Sequence, residues 1–233
     1  MAQTDFLYRS VLYMPGSKER ALEKAKTLDV DALILDLEDA VSPAEKPQAR
    51  DMVCAAVKGG GYGPRKLIIR VNGLDTEWGE DDLKAAAEAQ PDAILIPKVS
   101  SPTDLVKVEG IIKAAGANGN VKLWAMMETP LGMLNAAAIA GATPRLEGFV
   151  MGTNDLVKEL NAAHTMDRVP VITALSLCLL AARAHGLICV DGVYNAFKDD
   201  DGLRYSCEQG RDFGFDGKTL IHPAQLAITN EVF

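Results

Sequence analysis

Eight short, nearly continuous apolar runs recur along this 233-residue chain, each followed by an amphipathic stretch. They cover residues 9–14, 32–37, 66–71, 93–97, 122–127, 146–151, 188–191 and 218–221. Runs that are apolar at every position, rather than at every second one, suit parallel strands covered on both faces. The intervening stretches read as helices. Ser17 is placed to cap a run through Ala21, Leu22, Ala25 and Leu28, and Ser42-Pro43 to open a helix through Ala49, Met52, Val53 and Ala56. Further helices are expected over 80–89, 102–114, 130–140, 154–160, 169–185 and 200–213.

Eight strand–helix units in succession specify an α/β fold of the (β/α)8 TIM-barrel type, one domain across residues 1–233. An open doubly wound sheet would carry G-x-G-x-x-G after its first strand; here that turn reads Met14-Pro15-Gly16-Ser17-Lys18. The glycine-rich stretch from Lys58 to Pro64 is a surface loop, because the strand–helix rhythm resumes at once. The final helix opens at Pro223 and the chain ends at Phe233, so the last unit reads as cut short.

A hydrophobic content of 48% is enough to fill both layers of such a barrel. The net charge of −8 and pI near 5.0 argue against nucleic acid and anionic membrane as partners, so an anionic ligand must be met by a local cationic group. Cys54, Cys178, Cys189 and Cys207 have neither C-x-x-C nor zinc-finger spacing, and the first three sit in apolar runs. They read as reduced core residues of a cytoplasmic protein. No basic stretch followed by an apolar segment opens the chain, and its apolar runs are far short of a membrane span.

Barrel enzymes of this type build their sites at the C-terminal ends of the strands. Here those ends carry Tyr13, Asp36-Leu37-Glu38-Asp39, Arg70-Val71-Asn72, Lys98, Glu128, Asn154-Asp155, Asp191 and His222. Glu128 and Asp155 follow neighbouring strands, which lie roughly 5 Å apart, so both can reach one hard cation such as Mg²⁺. The alternative is that either acid caps the helix after it. Arg70 can grip a carboxylate bidentately, or pair internally with Asp36, Glu38 or Asp39. Glu38 and Asp39 suit a supporting catalytic role. Lys98 is the candidate for a rival Schiff-base mechanism. His164, His185 and His222 read as structural, with His185 near a helix end. The run Asp199-Asp200-Asp201 reads as a solvated helix start.

Taken in order, Leu35-Asp-Leu-Glu-Asp-Ala-Val41, Arg70-Val-Asn72, Ile96-Pro-Lys98, Met127-Glu-Thr129, Met151-Gly-Thr-Asn-Asp155 and Ile221-His-Pro223 resemble the citrate lyase β-subunit-like enzymes of the HpcH/HpaI aldolase superfamily. Asp75-Thr-Glu-Trp78, Trp124-Ala-Met-Met-Glu128 and Val190-Asp-Gly-Val-Tyr-Asn-Ala-Phe197 are similar to malyl-CoA lyases and (3S)-malyl-CoA thioesterases. The resemblance implies Mg²⁺ (Mn²⁺ as a substitute) on Glu128 and Asp155, with CoA carried in by the substrate. It implies an organic acid such as glyoxylate or malate held by Arg70 and by backbone near Asn154, and CoA met by Tyr13, Lys18 and Lys24. It also implies a homotrimer or homohexamer, and a C-terminal segment that can supply an Asp to a neighbour's site. Lyase and thioesterase chemistry both fit. A metal-dependent aldolase on CoA-free substrates and a non-catalytic acyl-CoA-binding barrel are the alternatives.

Overall fold

The computed structural model describes residues 6–233. Its eight strands are β1 (Ser10–Pro15), β2 (Ala32–Asp36), β3 (Lys66–Arg70), β4 (Ala93–Ile96), β5 (Lys122–Met127), β6 (Leu146–Met151), β7 (Ile188–Asp191) and β8 (Gly217–Leu220). Each pairs in parallel with the next, and β8 closes on β1, giving the expected closed barrel. The helices are α1 (Glu19–Ala25), α2 (Lys46–Gly59), α3 (Gly79–Ala89), α4 (Pro102–Ala114), α5 (Pro130–Leu134), α6 (Ala136–Ala140), α7 (Thr153–Glu159), α8 (Ile172–His185), α9 (Asp200–Phe213) and α10 (Leu226–Val232).

Strand alternation divides the core in two. Val11, Ile34, Ile68, Leu95, Trp124, Val150 and Val190 point into the bore, while Leu12, Leu33, Ile69, Ile94 and Phe149 point out to the helices. Toward the N-terminal ends of the strands, Tyr8 packs on Trp124 with ring centroids 5.2 Å apart. Trp124 has room because Gly148 lies opposite; a Cβ there would come 3.1 Å from the indole. The filled bore leaves only its opposite mouth open to a ligand.

Three local expectations differ from the structure. Ser17 does not cap α1: the N-cap residue is Lys18, and Ser17 Oγ is buried without a partner. The stretch 130–140 is two short helices, α5 and α6, broken at Asn135, whose side chain donates 2.8 Å to the Ser100 carbonyl. Ser42-Pro43 opens a 3-10 turn (Pro43–Glu45) before α2 proper begins. His185 is the last residue of α8, and Gly186, left-handed at φ 70°, ends the helix. All four cysteines are free and buried, and no helix among the described residues is long and apolar enough to cross a membrane.

Candidate active site at the barrel mouth

The parity that sends Ile34, Ile68 and Met126 into the bore also sends Asp36, Arg70 and Glu128 inward, one step nearer the mouth. Asp36 and Arg70 meet there as a bidentate pair, Nε–Oδ1 and Nη2–Oδ2 both 2.6 Å. Asp36 also accepts the backbone N–H groups of Glu38 and Ala40, which folds the chain after β2 into a tight turn. That turn brings Glu38 Oε2 to 2.7 Å and Asp39 Oδ2 to 3.5 Å from Arg70 Nη1. The Glu38 oxygen lies off the N–H direction and accepts no hydrogen bond. Arg70 stacks on the Tyr13 ring at 4.8 Å. Of the two readings of Arg70, the internal pair is therefore present: Asp36 takes Nε and Nη2, Glu38 and Asp39 stand beside Nη1, and the residue also lines the cavity.

Glu128 follows β5 and is 2% exposed, with Oε1 accepting the Lys98 backbone N–H at 2.7 Å. It does not cap α5; Thr129 Oγ1 does so, accepting from Gly132 N at 3.0 Å. Asp155 lies in the first turn of α7, whose N-cap residue is Gly152, and makes no side-chain cap. Among the described residues neither Glu128 nor Asp155 has a salt-bridge partner. Both line a cavity of about 280 Å³ together with Tyr13, Asp36, Arg70 and Asn154.

The electrostatics of the mouth are lopsided. Five carboxylates, Asp36, Glu38, Asp39, Glu128 and Asp155, stand against two cations, Arg70 and Lys98. Burial pushes Glu128 up to about 7, and Asp155 adds to the rise against the Lys98 amide and the Arg70 charge. Burial likewise pushes Glu38 up to about 7 despite Arg70. The Lys98 ammonium is pulled down by burial, but Glu38, Asp155 and Glu128 more than offset that, so it sits above its ordinary value. A Schiff-base lysine needs a neutral amine, so this setting disfavours that role. Excess negative charge on hard oxygen donors fits a divalent cation of the Mg²⁺ class. Among the described residues no three His, Cys, Asp or Glu side chains form a metal cage. Mg²⁺ needs only one or two carboxylates, with water and substrate oxygens in its remaining positions.

The sequence profile of the HpcH/HpaI aldolase/citrate lyase family matches residues 9–223, nearly the whole barrel. The chain belongs to this family. It is 63% identical over all 233 residues to a (3S)-malyl-CoA thioesterase of Cereibacter sphaeroides, covering 79% of that protein. It is 34% identical to citrate lyase subunit beta of Escherichia coli, over 97% of this chain and 76% of that one. The structure of CitE from Mycobacterium tuberculosis in complex with magnesium, acetoacetate and coenzyme A superimposes with a TM-score of 0.82 at 27% identity, over 97% and 80% of the two chains.

The residues singled out in the sequence as HpcH/HpaI-like are not all brought together. Arg70, Glu128, Asn154, Asp155 and Asp39 share the cavity, and Glu38 adjoins it through Arg70. Asn154 exchanges two side-chain hydrogen bonds with Asn195, so its side-chain amide is already engaged. Tyr13 is separated from Lys18 and Lys24: its ring lies in the bore, with its hydroxyl 3.3 Å from Met126 Sδ, whereas both lysines are exposed on and beside α1. Lys18 reaches Glu45 at 3.6 Å. Asp191 is not a rim residue. It has outward parity and is fully buried against Lys218 (2.9 Å) and Arg168 (2.6 Å). His222 sits at the rim, with Nδ1 accepting from Ala224 N and its ring stacked on Phe197.

Sequence reasoning missed the support beneath the β2 turn. Lys46, 6% exposed, donates to the Leu37 and Glu38 carbonyls and to Asn72 Oδ1, all within 2.9 Å. Asn72 in turn is held by Asp82, which is fully buried and paired with Arg50. The signal was present: Lys46 lies on the stripe of α2 that also carries Ala49 and Val53, both buried.

Proposed function

We propose that this chain is a Mg²⁺-dependent enzyme that makes, cleaves or hydrolyses a malyl-CoA-type 2-hydroxyacyl thioester. The observation that carries the reading is the pair Glu128 and Asp155, two carboxylates without an internal salt bridge facing one cavity beside Arg70. The magnesium and coenzyme A named for the M. tuberculosis structure, and the malyl-CoA named for the C. sphaeroides relative, support it.

Glu128 and Asp155 would hold the cation. Once bound, the ion supplies Lewis-acid polarisation of substrate oxygens. Arg70 binds the substrate carboxylate through its Nη1 edge, its plane fixed by Asp36 and Tyr13. Glu38, held beside the cavity against Arg70, would act as the base: it would take a proton from the substrate hydroxyl for carbon–carbon cleavage, or from water for hydrolysis, and return it to the acyl-CoA enolate or to the departing thiolate. Asp39, at the exposed edge of the same turn, keeps the Nη1 side of Arg70 negative until an acid displaces it. The filled bore keeps water from entering beneath the substrate. Both reactions share this grip, and the name of the 63%-identical relative favours hydrolysis.

We also propose a homotrimer or homohexamer, supported by the exposed Leu131, Leu134, Leu177 and Leu180 on the packed helices α5 and α8. Sedimentation velocity tests it; a monomer across the micromolar range refutes it.

The activity is tested with malyl-CoA by following thiol release and glyoxylate in parallel. Thiol without glyoxylate identifies hydrolysis, and glyoxylate without thiol identifies the lyase. Glu128→Gln, Asp155→Asn and EDTA should each abolish the signal. Full turnover in EDTA would overturn the reading.

A further inference from the structure

Lys98 adopts φ +50°, one of four non-glycine residues among those described with positive φ. A left-handed conformation is costly for a residue with a Cβ, and such strain persists where the surroundings impose it. The surroundings here are specific. Lys98 follows Pro97 at the end of β4, and its N–H points 2.7 Å to Glu128 Oε1 on the neighbouring strand end. Its carbonyl accepts from Ser100 Oγ at 3.1 Å. Ser100 Oγ also lies 2.8 Å from Thr129 Oγ1, and the Ser100 carbonyl accepts from Asn135. The turns after β4 and β5 are thus tied together on both sides of Glu128. From the β6 side Gly152 closes the gap: a Cβ there would overlap both Cβ and Oε2 of Glu128.

We infer that Lys98 is a positioning residue: the peptide plane after Pro97 presents its amide to Glu128 Oε1, and the left-handed turn at Lys98 carries the chain on to Ser100 and Thr129 without withdrawing that amide, locking the carboxylate so that Oε2 is the oxygen offered to a cation. This rests on the reading of Glu128 as a metal ligand. A carboxylate free to rotate in a half-empty mouth loses that orientation, and outer partners of this kind typically change metal affinity 10–100-fold. The amide makes the contact, and the ammonium of Lys98 is a separate element, raised in pKa against burial by the nearby negative charge of Glu38, Asp155, Glu128 and Asp39. Only the backbone conformation is required at this position for the metal.

The two parts separate by substitution. Lys98→Gly and Lys98→Ala remove the ammonium and keep the amide, and glycine also relieves the conformational strain. Lys98→Val places a β-branched residue where positive φ is strongly disfavoured. Binding of Mg²⁺ alone is measured by calorimetry on the full chain, with Glu128→Gln as the control. The glycine and alanine variants should bind Mg²⁺ within about threefold of the starting protein or more tightly, since a competing positive charge is gone, and the valine variant about tenfold or more weakly. The glycine variant should also melt a few degrees above the alanine variant. A loss of tenfold in both the glycine and alanine variants would assign the effect to the ammonium and overturn the inference, even if the valine variant does not fold. Wild-type Mg²⁺ affinity in a folded valine variant would overturn it too. If Glu128→Gln binds Mg²⁺ as tightly as the starting protein, the metal reading itself fails.

Discussion

Asp36 and Arg70, from adjacent strand ends, close on each other through two parallel 2.6 Å hydrogen bonds in almost complete burial. The pair joins the β2 and β3 sides of the mouth. Asp36 shapes the turn that carries Glu38 and Asp39, and Arg70 reaches back to both.

Removing Asp36 takes from Arg70 its bidentate, fully buried partner and leaves it only the contacts with Glu38 and Asp39 at Nη1. Asp36→Ala should therefore lower unfolding free energy by about 3–5 kcal/mol, read from urea denaturation. Arg70→Lys keeps the charge but loses the fork. It should raise KM for the thioester about tenfold, the scale of one lost charge-assisted hydrogen bond. An unchanged KM would show that Arg70 serves Asp36 alone.

Gly152 is set by what lies above it. Its φ of −92° is open to any residue, but a side chain there would overlap Glu128. Gly152→Ala should fold, with kcat/KM reduced about 100-fold because the carboxylate is displaced. The Mg²⁺-induced rise in melting temperature should shrink with it. A full Mg²⁺ response would mean that Glu128 is not a ligand.

Glu38 makes stability fall as pH rises. Its folded pKa, about 7, is above the unfolded value near 4.3, so the protonated form is favoured on folding. Its contribution is complete below the unfolded value and lost as pH climbs through 7. Glu38→Gln should flatten the decline of denaturation free energy between about pH 4.5 and 7, leaving the part due to Glu128. The same variant should lose turnover, since amide oxygen is a poor base at these pH values.

Asp191 acts at the other end of the scale. Full burial pushes its carboxyl up, but Lys218 and Arg168 more than offset this, leaving it below the usual carboxylate range. Its stabilisation is present above the unfolded value near 3.9 and is lost as pH falls below that through the folded value. Asp191→Asn should make the acid limb shallower and cost about 3–5 kcal/mol at pH 7, because two buried cations lose their anion. An acid limb unchanged in the variant would refute this linkage.

Periodicity made the barrel legible. A parallel strand buried on both faces must be apolar throughout, and eight such runs were visible with ends within a residue or two of the observed strands. The break at Asn135 was not visible, because it comes from a bond to Ser100, 35 residues away in the chain. Lys46 and Asp82 do not stand out among the charged positions of their helices, yet both lie on buried stripes and hold the chain around the β2 turn and Asn72. Asp191 was placed at the rim on position alone; parity with the outward-facing Cys189 would have put it in the helix layer.

By itself, then, the sequence determined the architecture, the family, and which strand ends carry charge, because these follow from local pattern and order along the chain. Tertiary structure decided how the charges are shared. Arg70 is already held by Asp36, Glu128 is held by the amide of a strained Lys98, and Asp155 is left open. Such partnerships depend on side-chain direction and on distances across neighbouring strands, and a linear pattern carries neither.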